Sequence, residues 1–250
     1  MAGDGRLLVA GTATGTLQVY DRARGNLRTA FVAHGDRILY LQFCAHNRSL
    51  VSVAADRTLA LWDVPAWQER RRCQLDPQPW PFEPEFEASL DGRWAAVSDA
   101  YAVEVWNLTT GRRVQHWSGG MGWIDGVAWS PSGECLAIAG ANGVTLFQTA
   151  NWRAVATLRG HLLSVHSLAF SPDGSRLATG SNLKEAMKLW DLTTLQEVAT
   201  LEGQGTHFFA TRFSPDGSTL AGISYQGTAH FWRAPSLAEI KRRAASDLGP

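Results

Sequence analysis

Six times along this chain an apolar run ends in an aromatic residue followed by a polar one. The pairs are Tyr20-Asp21, Trp62-Asp63, Trp106-Asn107, Phe147-Gln148, Trp190-Asp191 and Trp232-Arg233, at intervals of 42, 44, 41, 43 and 42 residues. A period this steady means one supersecondary unit repeated six times. Such a unit cannot bury its apolar surface alone, so neighbours must stack. Stacked repeats build broad binding surfaces more readily than a single catalytic pocket.

A second mark precedes the first by about 16 to 19 residues. It is a turn tetrapeptide: Ser89-Leu90-Asp91-Gly92, Ser130-Pro131-Ser132-Gly133, Ser171-Pro172-Asp173-Gly174 and Ser214-Pro215-Asp216-Gly217. Proline presets φ, Asp bonds its own backbone, and Gly accepts positive φ, so the segment joins two antiparallel strands. Short strands flank it, as in Val165 to Phe170 and Leu177 to Gly180. A third strand ends in the aromatic, as in Thr58 to Trp62, and a fourth follows, as in Glu197 to Leu201. Several strands are apolar on both faces, which suits sheets covered on both sides.

A third mark, Gly160-His161 and in part Ala33-His34, precedes the first strand. Together the three marks resemble the WD-repeat β-propeller family over roughly residues 3 to 235. The resemblance implies an all-β, WD-type β-propeller of six repeats (blades), each of four antiparallel strands around a channel. Asp4-Gly5 aligns with Asp173-Gly174, so the first blade starts at its second strand and is incomplete. The propeller is expected over residues 3–240, with a tail at 241–250. Its ending is similar to the last repeat of large bacterial WD-repeat proteins, some of which carry a kinase domain upstream. The two ends together suggest the C-terminal part of a longer propeller, or a gene started inside one.

The family's buried polar network, carried over by position, falls on His34, Ser52, Asp56 and Trp62. Ser, His and Asp here mark a structural network and not a hydrolase triad, because their spacing is that of the repeat and the Ser would be buried. In the fifth repeat His161, Thr179 and Trp190 keep three positions, with Leu183 or Lys184 where Asp should be. The other four repeats lack most of the network, so apolar packing must hold them.

Formal net charge is zero, from 23 basic and 23 acidic residues, which argues against a nucleic-acid binder. Arg70-Arg71-Arg72 falls on an expected outermost strand, where charge deters sheet-to-sheet aggregation. Three widely spaced cysteines, Cys44, Cys73 and Cys135, argue against a disulfide framework or zinc site and point to a reducing, cytoplasmic setting. No signal-peptide pattern and no apolar run of membrane-spanning length occurs. Phosphate-binding, zincin and nucleophile-elbow motifs are absent, and no cofactor is expected.

The expected partner is a protein or peptide, not nucleic acid or membrane. Its site would lie on the face built by loops that precede each first strand, since loops on a rigid scaffold carry function. Aligned positions there are Arg37, Phe82, Trp123, Ser164 and His207; Trp80 and Met121 lie close by. Tyr101 and Tyr225 fall in hairpins on the same face. Aromatic rings and Arg dominate protein interfaces. The candidate partner-binding set is Arg37, Trp80, Phe82, Tyr101, Trp123, His207 and Tyr225, with packing between loops as the alternative role for the rings. Two other readings stay open: a regulatory or sensor module of a larger bacterial signalling protein, and a hydrolase or lyase in which Arg37, Asp125, His166, His207 and Arg212 converge on the channel. An upstream segment, or else a second chain, is expected to supply the first blade's missing innermost strand.

Overall fold

The computed structural model describes residues 5–76, 84–118, 122–141, 143–182 and 185–234. Among them are 22 strands and no helix, and hence no helix long and apolar enough to cross a membrane. The first sheet is β1 (Leu7–Gly11), β2 (Thr16–Asp21) and β3 (Asn26–Val32); the second is β4 (Ile38–Cys44), β5 (Ser49–Ala54), β6 (Thr58–Asp63) and β7 (Gln68–Gln74). The third is β8 (Glu85–Ala88), β9 (Trp94–Ser98), β10 (Ala102–Asn107) and β11 (Arg112–Ser118). The fourth is β12 (Ile124–Trp129), β13 (Cys135–Gly140), β14 (Gly143–Gln148) and β15 (Arg153–Leu158). The fifth is β16 (Ser167–Phe170), β17 (Arg176–Gly180), β18 (Met187–Asp191) and β19 (Gln196–Leu201). The sixth is β20 (Phe208–Phe213), β21 (Thr219–Ser224) and β22 (Ala229–Arg233).

Register makes the six aromatic marks equivalent. Tyr20, Trp62, Trp106, Phe147, Trp190 and Trp232 pair with Leu8, Leu50, Ala95, Leu136, Leu177 and Leu220. In five sheets a bulge precedes the aromatic on its pairing with the outermost strand, as between Leu61 and Trp62. A bulge sharpens local twist. The turn glycines Gly92, Gly133, Gly174 and Gly217 have φ of 75°, 72°, 73° and 71°, which a side chain would strain. Ser171 and Ser214 hydroxyls donate to Asp173 and Asp216, at 2.5 Å each, and help hold both carboxyls down at about 2.

Both faces of the middle sheets are apolar because both are covered. Leu50, Ala60 and Trp62 of the second sheet pack on Leu7, Val9, Leu17 and Phe31 of the first. Its opposite face, Val51, Val53, Leu59 and Leu61, packs on Ala95, Trp106 and Leu108 of the third. Similar clusters join the third to the fourth, the fourth to the fifth and the fifth to the sixth. The sheets therefore abut in chain order, each first strand against the next, with β4 between β1 and β8. The inner strands β4, β8, β12, β16 and β20 surround a central cavity of about 360 Å³.

The expected fourth strand of the sixth blade falls outside the described residues. The first sheet has three strands, as anticipated, but the sixth also has three among the described residues. Among the described residues no packing comparable to the five interfaces above joins the sixth sheet to the first. Arg70, Arg71 and Arg72 lie on β7, the outermost strand of its sheet. Each is engaged: Arg70 pairs with Asp63, Arg71 donates to the Thr109 carbonyl, and Arg72 bonds Glu69, Thr58 and the Ala33 carbonyl. The three cysteines are unpaired, and burial pushes Cys44 up to about 12.

Candidate interaction face and central channel

The second sheet holds a directed relay of hydrogen bonds. The Trp62 indole N–H donates to Ser52 Oγ at 2.8 Å, so the Ser hydrogen turns to His34 Nε2 at 2.6 Å. His34 Nδ1 then carries the ring hydrogen and meets Thr58 Oγ1 at 2.7 Å. Thr58 donates to Asp56 Oδ1 at 2.7 Å, and Asp56 Oδ2 accepts the Gly35 N–H at 2.7 Å. Thr58 thus carries the main link between His34 and Asp56, which stand 3.6 Å apart. Burial opposes the Asp56 charge, but bonds from Thr58 and Gly35 outweigh it and lower the carboxyl. Burial, opposed by Asp56, lowers the His34 imidazole and keeps it neutral.

The fifth sheet repeats part of the relay. Thr179 Oγ1 receives the Trp190 N–H at 2.9 Å and bonds His161 Nε2 at 2.6 Å. His161 Nδ1 is buried with no hydrogen-bond partner among the described residues. Burial, reinforced by Lys188, brings His161 down to about 4. Leu183 and Lys184 lie outside the described residues. The third sheet adds a polar tie of its own to the mainly apolar cohesion expected there. There the Trp106 N–H donates to Glu104 Oε2 at 2.8 Å, and Glu104 Oε1 accepts the Asp76 N–H at 2.9 Å and Arg113 at 3.3 Å.

At the end of the sheets where first strands begin, side chains from four repeats touch in a line. Tyr101 meets Trp123 edge-on at 5.5 Å. The Trp123 N–H donates to Asp125 Oδ1 at 2.6 Å, and Asp125 Oδ2 lies 3.1 Å from His166 Nδ1. The His166 ring stacks on His207 at 3.7 Å, and Tyr225 meets His207 edge-on at 6.2 Å. Asn182 ties the line to the backbone: its amide meets His166 Nε2 at 2.8 Å and its carbonyl accepts the His207 N–H at 2.6 Å. Burial, followed by repulsion from His166, lowers His207. Tyr225 is 78% exposed, Tyr101 55% and Trp123 37%, so three rings of the line present surface to solvent. Arg37 precedes β4 as Trp123 precedes β12 and His207 precedes β20, and it is exposed at the same end. Trp80, Phe82 and Met121 lie outside the described residues. Sequence reasoning missed Asn182 and the exposed pair Leu162-Leu163 in the loop before β16; two adjacent leucines outside any strand were the available signal.

Below this line the channel gathers Glu85, Glu87, Asp125 and Arg212 on three inner strands, and His166 just ahead of a fourth, β16. Asp125, His166 and Arg212 do converge there; Arg37 and His207 are not among its lining residues. Glu85 is exposed and Glu87 half-buried, yet the surrounding sheets strip their hydration and push both up to about 7, with Asp125 adding to the rise at Glu85 and Arg212 opposing it at both. Glu87 also accepts the Trp129 N–H at 2.6 Å, tying β8 to β12. Convergence alone does not assemble catalysis. Both His166 nitrogens are held, one by Asp125 and one by Asn182. The channel's Ser167 hydroxyl is engaged with the Phe208 carbonyl and Thr211. His166 and the Ser167 hydroxyl are therefore committed to bonds within the fold. Among the described residues no group of three or more His, Cys, Asp or Glu is placed to hold a metal.

Comparison with known proteins agrees with this architecture. The family model described as WD domain, G-beta repeat, matches residues 25–63, 152–191 and 195–233. Periodic tryptophan protein 2 of Arabidopsis thaliana is 29% identical over 191 residues, covering 75% of this chain and 21% of that protein. An uncharacterized WD repeat-containing protein of Synechocystis sp. is 33% identical over 95 residues, covering 37% and 27%. The anaphase-promoting complex subunit cdc20 of Dictyostelium discoideum is 22% identical over 152 residues, covering 59% and 30%. The chain therefore spans less than a third of the length of each of these relatives. A chain in the crystal structure of the mitotic checkpoint complex superposes with a TM-score of 0.78 at 19% identity, covering 94% of this chain and 73% of that one. Six sheets in register and the recurring turn give this chain a β-propeller fold, and three of its repeats match the WD domain, G-beta repeat, model.

Proposed function

We propose that this propeller is a non-catalytic interaction module that binds a protein or peptide on the face where its first strands begin. The observation that carries the reading is the contact line Tyr101–Trp123–Asp125–His166–His207–Tyr225, which crosses four sheets and exposes three aromatic rings at one end. Rigid, amphipathic rings held by second contacts are the side chains that anchor interfaces at low entropic cost. Arg37 and the Leu162-Leu163 pair extend the same face. A relative named as a subunit of the anaphase-promoting complex supports a role in assemblies. The closed hydrogen bonding around His166 and Ser167 supports the non-catalytic reading. Three unpaired cysteines suit a reducing, cytoplasmic compartment.

The test is a double variant, Trp123→Ala with Tyr225→Ala, against a partner captured by the full chain and then titrated by calorimetry. Loss of two anchor rings should weaken binding at least about tenfold with the melting temperature nearly unchanged. Equal affinity of variant and wild type would overturn the assignment of this face.

A further inference from the structure

The central cavity carries opposite charges on separate walls. On β8, Glu85 and Glu87 stand two residues apart, on one side of the strand, and both line the cavity. On β20, Arg212 holds the position equivalent to Glu87, since Glu87 pairs with Ala96 and Arg212 with Ala221. The two charges therefore lie at one depth. The strands β12 and β16 stand between β8 and β20, so acid and base belong to different walls. Arg212 acts on both carboxylates as a charge at a distance and not as a hydrogen-bond donor. Its Nη1 donates instead to the Thr211 carbonyl at 2.8 Å.

The wall between them is hollowed. The cavity-lining residue that follows the bulge is Tyr40 in β4, Gly126 in β12 and Ala210 in β20. Tyr40 and Ala210 show that this bend accepts a side chain, so the bulge does not require the glycine. Packing does not require it either. A Cβ on Gly126 would meet Ala139, Leu168 and the His166 carbonyl at 3.8 Å each, which is ordinary contact. A glycine inside a strand costs stability and often marks the close approach of a ligand. Here it leaves open the space that two opposed charges share.

We infer that this cavity binds a small zwitterion of the amino-acid class, with its ammonium at Glu85 and Glu87 and its carboxylate at Arg212. A simple cation would meet repulsion from Arg212, and a simple anion repulsion from the two carboxylates. A ligand carrying both charges answers both walls. The volume of about 360 Å³ lies at the small end for ligand sites, which suits a metabolite and not a folded partner. Burial pushes both carboxyls up to about 7, so an ammonium beside them restores their charged form. Trp123 and Tyr225 do not line the cavity, so this site stands independently of the interaction face.

Calorimetric titration of the full chain with glycine, β-alanine, γ-aminobutyrate and ε-aminocaproate varies the spacing between the two charges. The member whose length fits should bind at least about tenfold more tightly than the amine or the carboxylic acid of the same carbon chain, each of which engages one wall. Arg212→Gln should bring the zwitterion down to the affinity of the amine. Glu87→Gln keeps an acceptor for the Trp129 N–H and should weaken zwitterion and amine alike. Gly126→Val changes no charge and should abolish binding with the melting temperature nearly unchanged. Trp123→Ala with Tyr225→Ala should leave binding of the zwitterion intact, so loss of the interaction face and loss of this site read separately. An amine that binds as tightly as every zwitterion would overturn the inference. So would a lack of binding across the series, or binding that survives Gly126→Val.

Discussion

Ser52→Ala and Ser98→Ala delete the same atom from two buried sites, and the structure assigns them opposite consequences. Ser52 is fully buried and its hydroxyl joins Trp62 Nε1 at 2.8 Å to His34 Nε2 at 2.6 Å. Alanine there leaves an indole N–H and an imidazole nitrogen without partners. Each orphaned buried group costs about 1–3 kcal/mol, so partial relaxation still leaves a loss of about 2–4 kcal/mol. Ser98 is equally buried, but its hydroxyl has no hydrogen-bond partner among the described residues. Removing it relieves a desolvated group, for an effect between zero and about 1 kcal/mol of stabilisation. In a chain of this size 1 kcal/mol corresponds to about 2–4 °C. Ser52→Ala should therefore lower the melting temperature by about 5–10 °C, with Ser98→Ala at or slightly above wild type. Scanning calorimetry and urea midpoints on both variants read this directly. Equal losses would show that cavity formation, and not the relay, sets the cost. A larger loss at Ser98 would refute the hydrogen-bond reasoning altogether.

Asp56→Ala removes the acceptor of the Gly35 N–H, the Thr58 N–H and the Thr58 hydroxyl, and should cost about 1–3 kcal/mol by urea midpoint. Glu104→Ala strips the partner from Trp106 Nε1 and the Asp76 N–H and should cost about 2–4 kcal/mol in the same assay; a neutral result would mean that apolar packing alone seats Trp106. His161 ordinarily titrates at 6.5 and is held at about 4 in the fold, so the folded state favours the neutral ring. Its contribution is complete above pH 6.5 and is lost as pH falls toward 4. The stability gap between wild type and His161→Asn should therefore narrow by about 2–3 kcal/mol between pH 7 and pH 4.5; a constant gap would place the ring in water.

The blades were legible because their determinants are local. An aromatic at each third-strand end, a Ser-x-x-Gly turn and runs of Val, Leu and Ala recur with the period of one sheet. Thr58 and Glu104 were not legible for a different reason. Thr58 enters the relay by standing between His34 and Asp56, a position that only the fold reveals. Glu104 serves Trp106 from the same strand, two residues away, whereas Ser52 serves Trp62 from the neighbouring strand. A same-face pair at i and i+2 was the available sign. The exposure of Phe231 and Ile223 on the sixth sheet was hidden because both read as ordinary core residues.

Contacts between adjacent sheets obey one arithmetic. Glu87 bonds Trp129, Asp125 bonds His166 and Ser167 bonds Thr211 at separations of 42, 41 and 44 residues, each close to one period. Register places matching positions of consecutive repeats side by side at the inner strands. A polar residue there can reach a partner one repeat away. The buried positions are therefore pressed toward sameness, because each must fit two neighbours built on the same plan. The residues that open the first strands escape that pressure. Arg37, Trp123 and His207 occupy one equivalent place and share no chemistry. Whatever the face recognises must be read from these departures, since a surface of identical repeats would offer a partner several equal registers and no single one.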